Sequence, residues 1–328
     1  MNNKIFQSII IIFFIIIDSF ASELVCFSII NKHAEDKFSE FLDKSLPLTG
    51  FILSDSHERV NEIYADKFGN VNSKNFDKGY KKTLDNLGFF PLSNDKQMNE
   101  LLKMNPKLGL YSSFNLHIYK KIDEDETYVG YLEPAIMLDL IGVDDMKVRE
   151  KYEMMFKPLK RLLIEKFGNQ QKILLGKELP IKSRMEFKLD FERSDDLSEF
   201  VDKFQGFFED SVEDNDFIVT GYKDYKDIYA DLDMDFDEYD AYWVYSLCDL
   251  KFSYEVFNKG RPDAGILAPC NIYMYIEKGT SKLIIGMLKT SNWISIMNIK
   301  DNKLSKKAQI IDAKILSIIK SLGADVIE

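Results

Sequence analysis

Residues 98–119, MNELLKMNPKLGLYSSFNLHIY, return 156 positions later as 254–275, YEVFNKGRPDAGILAPCNIYMY. In that alignment Pro106 meets Pro262, Gly109 meets Gly265, Asn115 meets Asn271 and Tyr119 meets Tyr275. The same offset carries Gly130 onto Gly286, Leu132 onto Leu288, and Leu159, Leu162 and Leu163 onto Ile315, Ile318 and Ile319. A register of turn, glycine and apolar positions held over such a length marks a duplicated structural unit. Upstream the offset changes while the pattern persists: SEFLDK at 39–44 matches SEFVDK at 198–203, and IYAD at 63–66 recurs at 228–231. Changes of offset place the length differences in loops, where they are tolerated.

Each copy reads as the same succession of elements. A short strand (about 24–30 and 185–191) precedes an amphipathic helix with apolar residues at Phe38, Phe41 and Leu42, or at Leu197, Phe200, Val201 and Phe204. A second strand follows at about 51–54 and 217–220, then a loop-rich stretch of variable length. A strand (87–93; 242–248) leads into a helix (95–104; 251–258) that the proline and glycine close. A hairpin comes next, pairing 109–120 with 127–132 and 265–277 with 282–288, and a long helix ends each copy at 146–167 and 303–322. The fold class is α+β: two repeated modules, each a mostly antiparallel sheet with helices on one face. The expected organisation is a signal peptide over 1–21, a first copy over 22–167, a linker over 168–184 and a second copy over 185–328.

The leader reading rests on a charged start at Lys4, an apolar run from Ile5 to Ile17, and the small residues Ser19 and Ala21 before a cleavage site. The run stops at Asp18, short of the roughly 20 apolar residues that a spanning helix needs. Export, to the periplasm or beyond the cell, is therefore expected, with no stable membrane span after signal removal. A composition 45% hydrophobic and 30% charged is that of a globular protein, and the net charge of −11 repels phosphate backbones, which argues against nucleic acid as a partner.

The segment 248–279, CDLKFSYEVFNKGRPDAGILAPCNIYMYIEKG, resembles the family catalogued as domain of unknown function 302. The features that carry the likeness are a strand ending at Cys248, a helix with Tyr254 at mid-length, Pro262, and Pro269-Cys270 before an alternating strand. In the first copy Ser113-Phe114 stands for Pro-Cys and Leu92 for the upstream cysteine. The family occurs in tandem and has no assigned reaction, so the resemblance implies a fold rather than a chemistry.

Three cysteines occur, Cys26, Cys248 and Cys270, and three histidines, His33, His57 and His117. Cys248 and Cys270 are the sharpest candidate pair. They are readable as core packing, as a disulfide, or as a reactive or ligand-binding thiol with Lys251 or Arg261 as a cationic neighbour. Any functional centre of the second copy is expected where the strand ending at Cys248 meets the Pro269-Cys270 turn, with Pro262, Gly265, Pro269 and Asn271 supporting it. Asn115, His117 and Tyr119 share one face of a strand by the two-residue period and form a weaker pocket candidate. Asp231, Asp233, Asp235 and Asp237 alternate, but Phe236 and Tyr242 occupy the positions where a calcium loop needs glycine and glutamate. No metal site and no cofactor is expected, since Gly-rich phosphate loops, serine elbows and Cys-x-x-Cys are all missing from the sequence. The expected role is a binding or interaction module of the cell envelope, taking an unknown small molecule or envelope protein. A thiol-dependent enzyme using Cys248 and Cys270, or a structural envelope protein, are the alternatives.

Overall fold

The computed structural model describes residues 25–31, 34–168, 171–174, 183–194 and 196–328. The expected signal peptide with its cleavage site, His33, and most of the expected linker lie outside the described residues. The first module places strands β1 (Val25–Asn31), β2 (Ile52–Leu53), β3 (Leu84–Ser93), β4 (Ser113–Lys121), β5 (Thr127–Leu132) and β6 (Gln171–Leu174) in one sheet, ordered β2-β3-β4-β5-β1-β6. The second module has β7 (Arg184–Asp190), β8 (Phe217–Asp224), β9 (Tyr239–Asp249), β10 (Cys270–Glu277), β11 (Lys282–Leu288) and β12 (Asp325–Val326), ordered β8-β9-β10-β11-β7-β12. Strand for strand the two orders are the same, and the neighbouring pairs are antiparallel. The α+β, two-module architecture is thus realised down to its edge strands.

Helices complete each copy. In the first these are α1 (Ala34–Glu40), α2 (Val60–Tyr64), α3 (Asp95–Met104), α4 (Pro134–Ile141) and α5 (Met146–Phe167). In the second they are α6 (Leu197–Asp214), α7 (Tyr225–Asp231), α8 (Leu250–Phe257), α9 (Asn292–Ile296) and α10 (Asn302–Ser321). Local chemistry fixes their starts in matching ways. Asp145 and Asp301 each accept from the second and third residues after them, so both long helices begin with the same side-chain cap. Asn94 and Asp249 cap α3 and α8 by accepting from the third residue on, Gln97 and Phe252.

Three sequence expectations shift. Gln171–Leu174, inside the expected linker, is a strand that pairs with β1, as Asp325–Val326 pairs with β7, so the first module runs on past Phe167. The hairpins begin later than expected, because Pro106–Tyr111 and Pro262–Leu267 are 3-10 turns that open with the proline. The pairing Leu92↔Phe114 beside Leu247↔Cys270 makes Leu247 the counterpart of Leu92, so Cys248 corresponds to Ser93.

The modules meet sheet to sheet through those 3-10 turns. Gly109 lies so close to the second sheet that a Cβ there would fall 2.8 Å from Tyr273 Cβ. Gly265 lies so close to the first that a Cβ would fall 2.4 Å from the His117 ring. Asn115 Nδ2 donates to Gly265 O at 2.7 Å, while Asn271 Nδ2 donates to Leu110 O and Ser113 O, both at 2.9 Å. His117 Nε2 faces Pro262 O at 2.7 Å, and Tyr242 donates from its hydroxyl to Pro106 O. The contact is reciprocal, an internal pseudo-dimer.

Each module also sends an arm over the other, built from the connection between its second and third strands. From the first arm His57 Nε2 meets Thr220 O at 3.1 Å, Tyr64 donates to Ser253 Oγ at 3.0 Å, and Phe68 stacks on Tyr254 with centroids 4.1 Å apart. From the second arm Asp235 pairs with Lys103 at 3.1 Å, and its carbonyl accepts from Asn99 Nδ2 at 3.0 Å. Of the alternating aspartates, Asp235 therefore belongs to a module-spanning contact, while Asp237 pairs with Lys278 of its own module at 3.6 Å. Among the described residues no group of three or more His, Cys, Asp and Glu converges to hold a metal, and no helix is long and apolar enough to cross a membrane.

Candidate functional site

Under the first arm, where the end of β9 meets the start of β10, lies a cavity of about 420 Å³. Its lining is mostly apolar, and both modules supply it. The arm gives His57, Val60, Ile63, Tyr64 and Lys67; β3 adds Phe89 and Pro91. The second module supplies Cys248, Pro269 and Cys270, the side of α8 that carries Phe252, and Trp293 behind them. Ile311 and Ile315 of α10 close the inner wall. Ile63 and Ile218 are each 41% exposed, so the rim is apolar as well.

The sequence-derived candidates separate into two groups. Cys248, Pro269 and Cys270 line the cavity, at the junction expected for a functional centre. Pro262, Gly265, Asn271, Asn115 and His117 instead form the contact between modules, and Tyr119 stacks on Tyr128 with centroids 4.7 Å apart. Asn115, His117 and Tyr119 are buried and none of them lines this cavity, so the shared strand face serves packing rather than a pocket.

Cys248 and Cys270 are free thiols, each partly exposed towards the cavity. Side chains alternate across a strand, and Cys270 pairs with Leu247, so Cys248 projects from the other side of the sheet. Both thiols nonetheless border the same cavity, and Cys248 is close enough to be among the groups that raise Cys270. Burial among apolar atoms pushes the Cys248 thiol up to about 11 and the Cys270 thiol up to about 12. Neither Lys251 nor Arg261 is among the groups that shift them. Arg261 is engaged by Asp263 at 2.8 Å and by Met297 O. At neutral pH both sulfurs are protonated, which suits soft apolar lining and not nucleophilic attack.

The equivalent space under the second arm is filled. Cys270 corresponds to Phe114, whose ring packs on Phe156 (4.7 Å), Phe51 (5.5 Å) and Tyr131 (5.7 Å). The offset that aligns the long helices sets Ala308 opposite Tyr152 and Asp312 opposite Phe156. The matched IYAD segments set Val60 of the first arm opposite Tyr225 of the second. Tyr225 is fully buried and has Asp95 and Tyr152 among its neighbours. Even the polar pairing differs: Lys223, the counterpart of His57 by strand register, donates to Ser93 at 2.7 Å and pairs with Asp95 at 2.7 Å. Aromatic side chains fill the first site, where Phe114 and Tyr225 stand at the positions that Cys270 and Val60 hold in the lining of the open one. Sequence reasoning marked Cys270 against Phe114 but missed Val60, although the matched IYAD segments align it with Tyr225.

Comparison with known proteins bears on the second module. Residues 193–322 match the family model described as "Domain of unknown function DUF302". Among solved structures, one titled "Crystal structure of uncharacterized conserved protein DUF302 from Bacillus stearothermophilus" is similar at 18% identity and a TM-score of 0.33. The match covers 41% of this chain and 95% of that one. No curated protein matches the chain.

Proposed function

We propose that this chain binds a small, largely apolar molecule in the cavity beneath its first arm, one molecule per chain. The observation that carries the reading is the inequality of two equivalent spaces in a duplicated fold, one packed with aromatic rings and one open at about 420 Å³. Interiors normally close such gaps, because an empty apolar volume forfeits packing. A cavity of this size, at a module boundary and with few polar groups, is the usual form of a small-molecule site. The thiol chemistry considered from sequence is disfavoured by the raised pKa values of both cysteines, and Cys248 and Cys270 act here as walls.

The first module is proposed to be a second, diverged copy of the same domain, a reading its matching strand order supports. The leader pattern at Lys4 to Ala21 supports export, with the mature chain starting at Ser22. N-terminal sequencing of exported material tests that part, and an intact Met1 there refutes it. Binding is tested through Trp293, which lines the cavity and is one of two tryptophans. Titration with the apolar probe N-phenyl-1-naphthylamine is expected to change Trp293 emission and saturate at one equivalent. Absence of saturable binding, with alkylation at pH 7 as fast as for a free thiol, returns the thiol reading to first place.

A further inference from the structure

Resting on the binding reading, we propose that the ligand is a flat aromatic molecule, held against a wall of rings along the cavity. Phe89 and Phe257 lie with centroids 5.4 Å apart, Phe257 and Trp293 5.9 Å, and Trp293 and Phe252 5.8 Å. The four form one continuous chain, and all of them border the cavity. Both modules build it: Phe89 comes from β3, Phe252 and Phe257 from α8, and Trp293 from α9. Phe89 is only partly buried, so its ring has surface to offer a ligand. Separations of this size are those at which aromatic faces and edges attract beyond simple burial, and a further ring beside them extends the pattern. Cys248 and Cys270, both partly exposed, add polarisable sulfur, which suits the edge of a ring.

The repeat supplies an independent comparison, because it shows what fills the equivalent space. Under the second arm Phe114 and Tyr225 stand at the positions that Cys270 and Val60 hold here, and Tyr225 is fully buried. Phe114 packs ring to ring on Phe156, Phe51 and Tyr131 at 4.7–5.7 Å. One space is thus completed by rings of the chain itself, whereas the other lacks those two rings and keeps an aromatic wall facing the gap. A planar ligand brings from solution what the other half carries covalently. A saturated chain would gain burial alone, without the ring contacts.

The test is calorimetric titration of the full chain with 2-naphthol and with decahydro-2-naphthol, counting only the heat that saturating N-phenyl-1-naphthylamine abolishes. The two ligands share a carbon skeleton and a hydroxyl and differ in aromaticity, so a cavity that is merely apolar takes the saturated one at least as well. Wild type is expected to bind 2-naphthol about five- to tenfold more tightly. Phe89→Leu keeps apolar bulk and removes a ring of the wall; it is expected to lower 2-naphthol affinity about threefold and to leave decahydro-2-naphthol binding unchanged, which also shows that the variant is folded. Phe89→Tyr, which keeps the ring, is expected to keep the wild-type preference. Equal affinities in wild type, or a preference that Phe89→Leu leaves intact, overturn the aromatic assignment while leaving the cavity as a binding site. If N-phenyl-1-naphthylamine itself does not bind wild type, the binding reading falls and this one with it.

Discussion

Cys270→Phe writes into the second module the residue that plugs the first. Phe114 shows what the ring does in its own module: it packs on Phe51, Phe156 and Tyr131 at 4.7–5.7 Å and leaves no counterpart of the cavity. In the second module the ring would project into about 420 Å³ of space walled by Ile311, Ile315 and Met287. Burying a phenylalanine side chain contributes roughly 1.5–3 kcal/mol, and freezing it returns part of that, so a net gain of about 1–2 kcal/mol is expected. For a chain of this size such a gain raises Tm by a few degrees. Probe affinity should fall by more than tenfold in the same variant. Stability and binding thus move in opposite directions, a signature that misfolding cannot produce. Thermal unfolding by near-ultraviolet circular dichroism, paired with probe titration, reads both. A lower Tm, as overpacking by about 1–3 kcal/mol would give, means that the space is already committed to other side chains and refutes the cavity argument. Retained probe binding with a higher Tm refutes the location of the site.

Two further outcomes concern the contact between modules. Asn271→Ala strands the carbonyls of Leu110 and Ser113 and the Ser246 hydroxyl, and Asn115→Ala strands the Gly265 carbonyl and the Phe90 N–H, so denaturant unfolding should show about 1–3 kcal/mol lost for each buried backbone group in both variants. His117 is 1% exposed, and burial pushes its pKa down from 6.5 to about 4 against the pull of the Pro262 and Gly88 carbonyls. The unfolded chain then binds the extra proton first as pH falls, so stability present above pH 6.5 drains away towards pH 4. The loss between pH 7 and 5 is about 2 kcal/mol, and it should vanish in His117→Gln. A pH slope equal in both proteins assigns the effect elsewhere.

Much of the architecture is legible in the chain because the repeat carries it. Pro106 and Pro262, Gly109 and Gly265, and Asn115 and Asn271 align by counting, and each pair proves to occupy the same place at the module contact. The helices at 95–104 and 146–167 and the strand at 127–132 begin and end where capping residues and alternation put them. Gln171–Leu174 escaped because four residues are too few for a period to show, and strand formation there depends on the partner strand. The exchange of Leu92 for Ser93 as the counterpart of Cys248 is a one-residue slip, visible only in the pairing of neighbouring strands. The cavity was only half legible. Cys270 drew notice by its motif, whereas Val60 looks like an ordinary residue until the buried Tyr225 ring opposite it is seen.

The arms bear on the order in which the chain matures. His57, Tyr64 and Thr83 find their partners 163, 189 and 175 residues further along, in Thr220, Ser253 and Asn258. Contacts of that sequence separation close last, and they cannot close at all until the second module has been synthesised. A nascent first module therefore emerges with its sheet paired and its arm unclasped, presenting Tyr64 and Phe68 to whatever is near. During that interval the roof of the future cavity exists without its floor, so the cavity takes shape only as the arm settles on the second module.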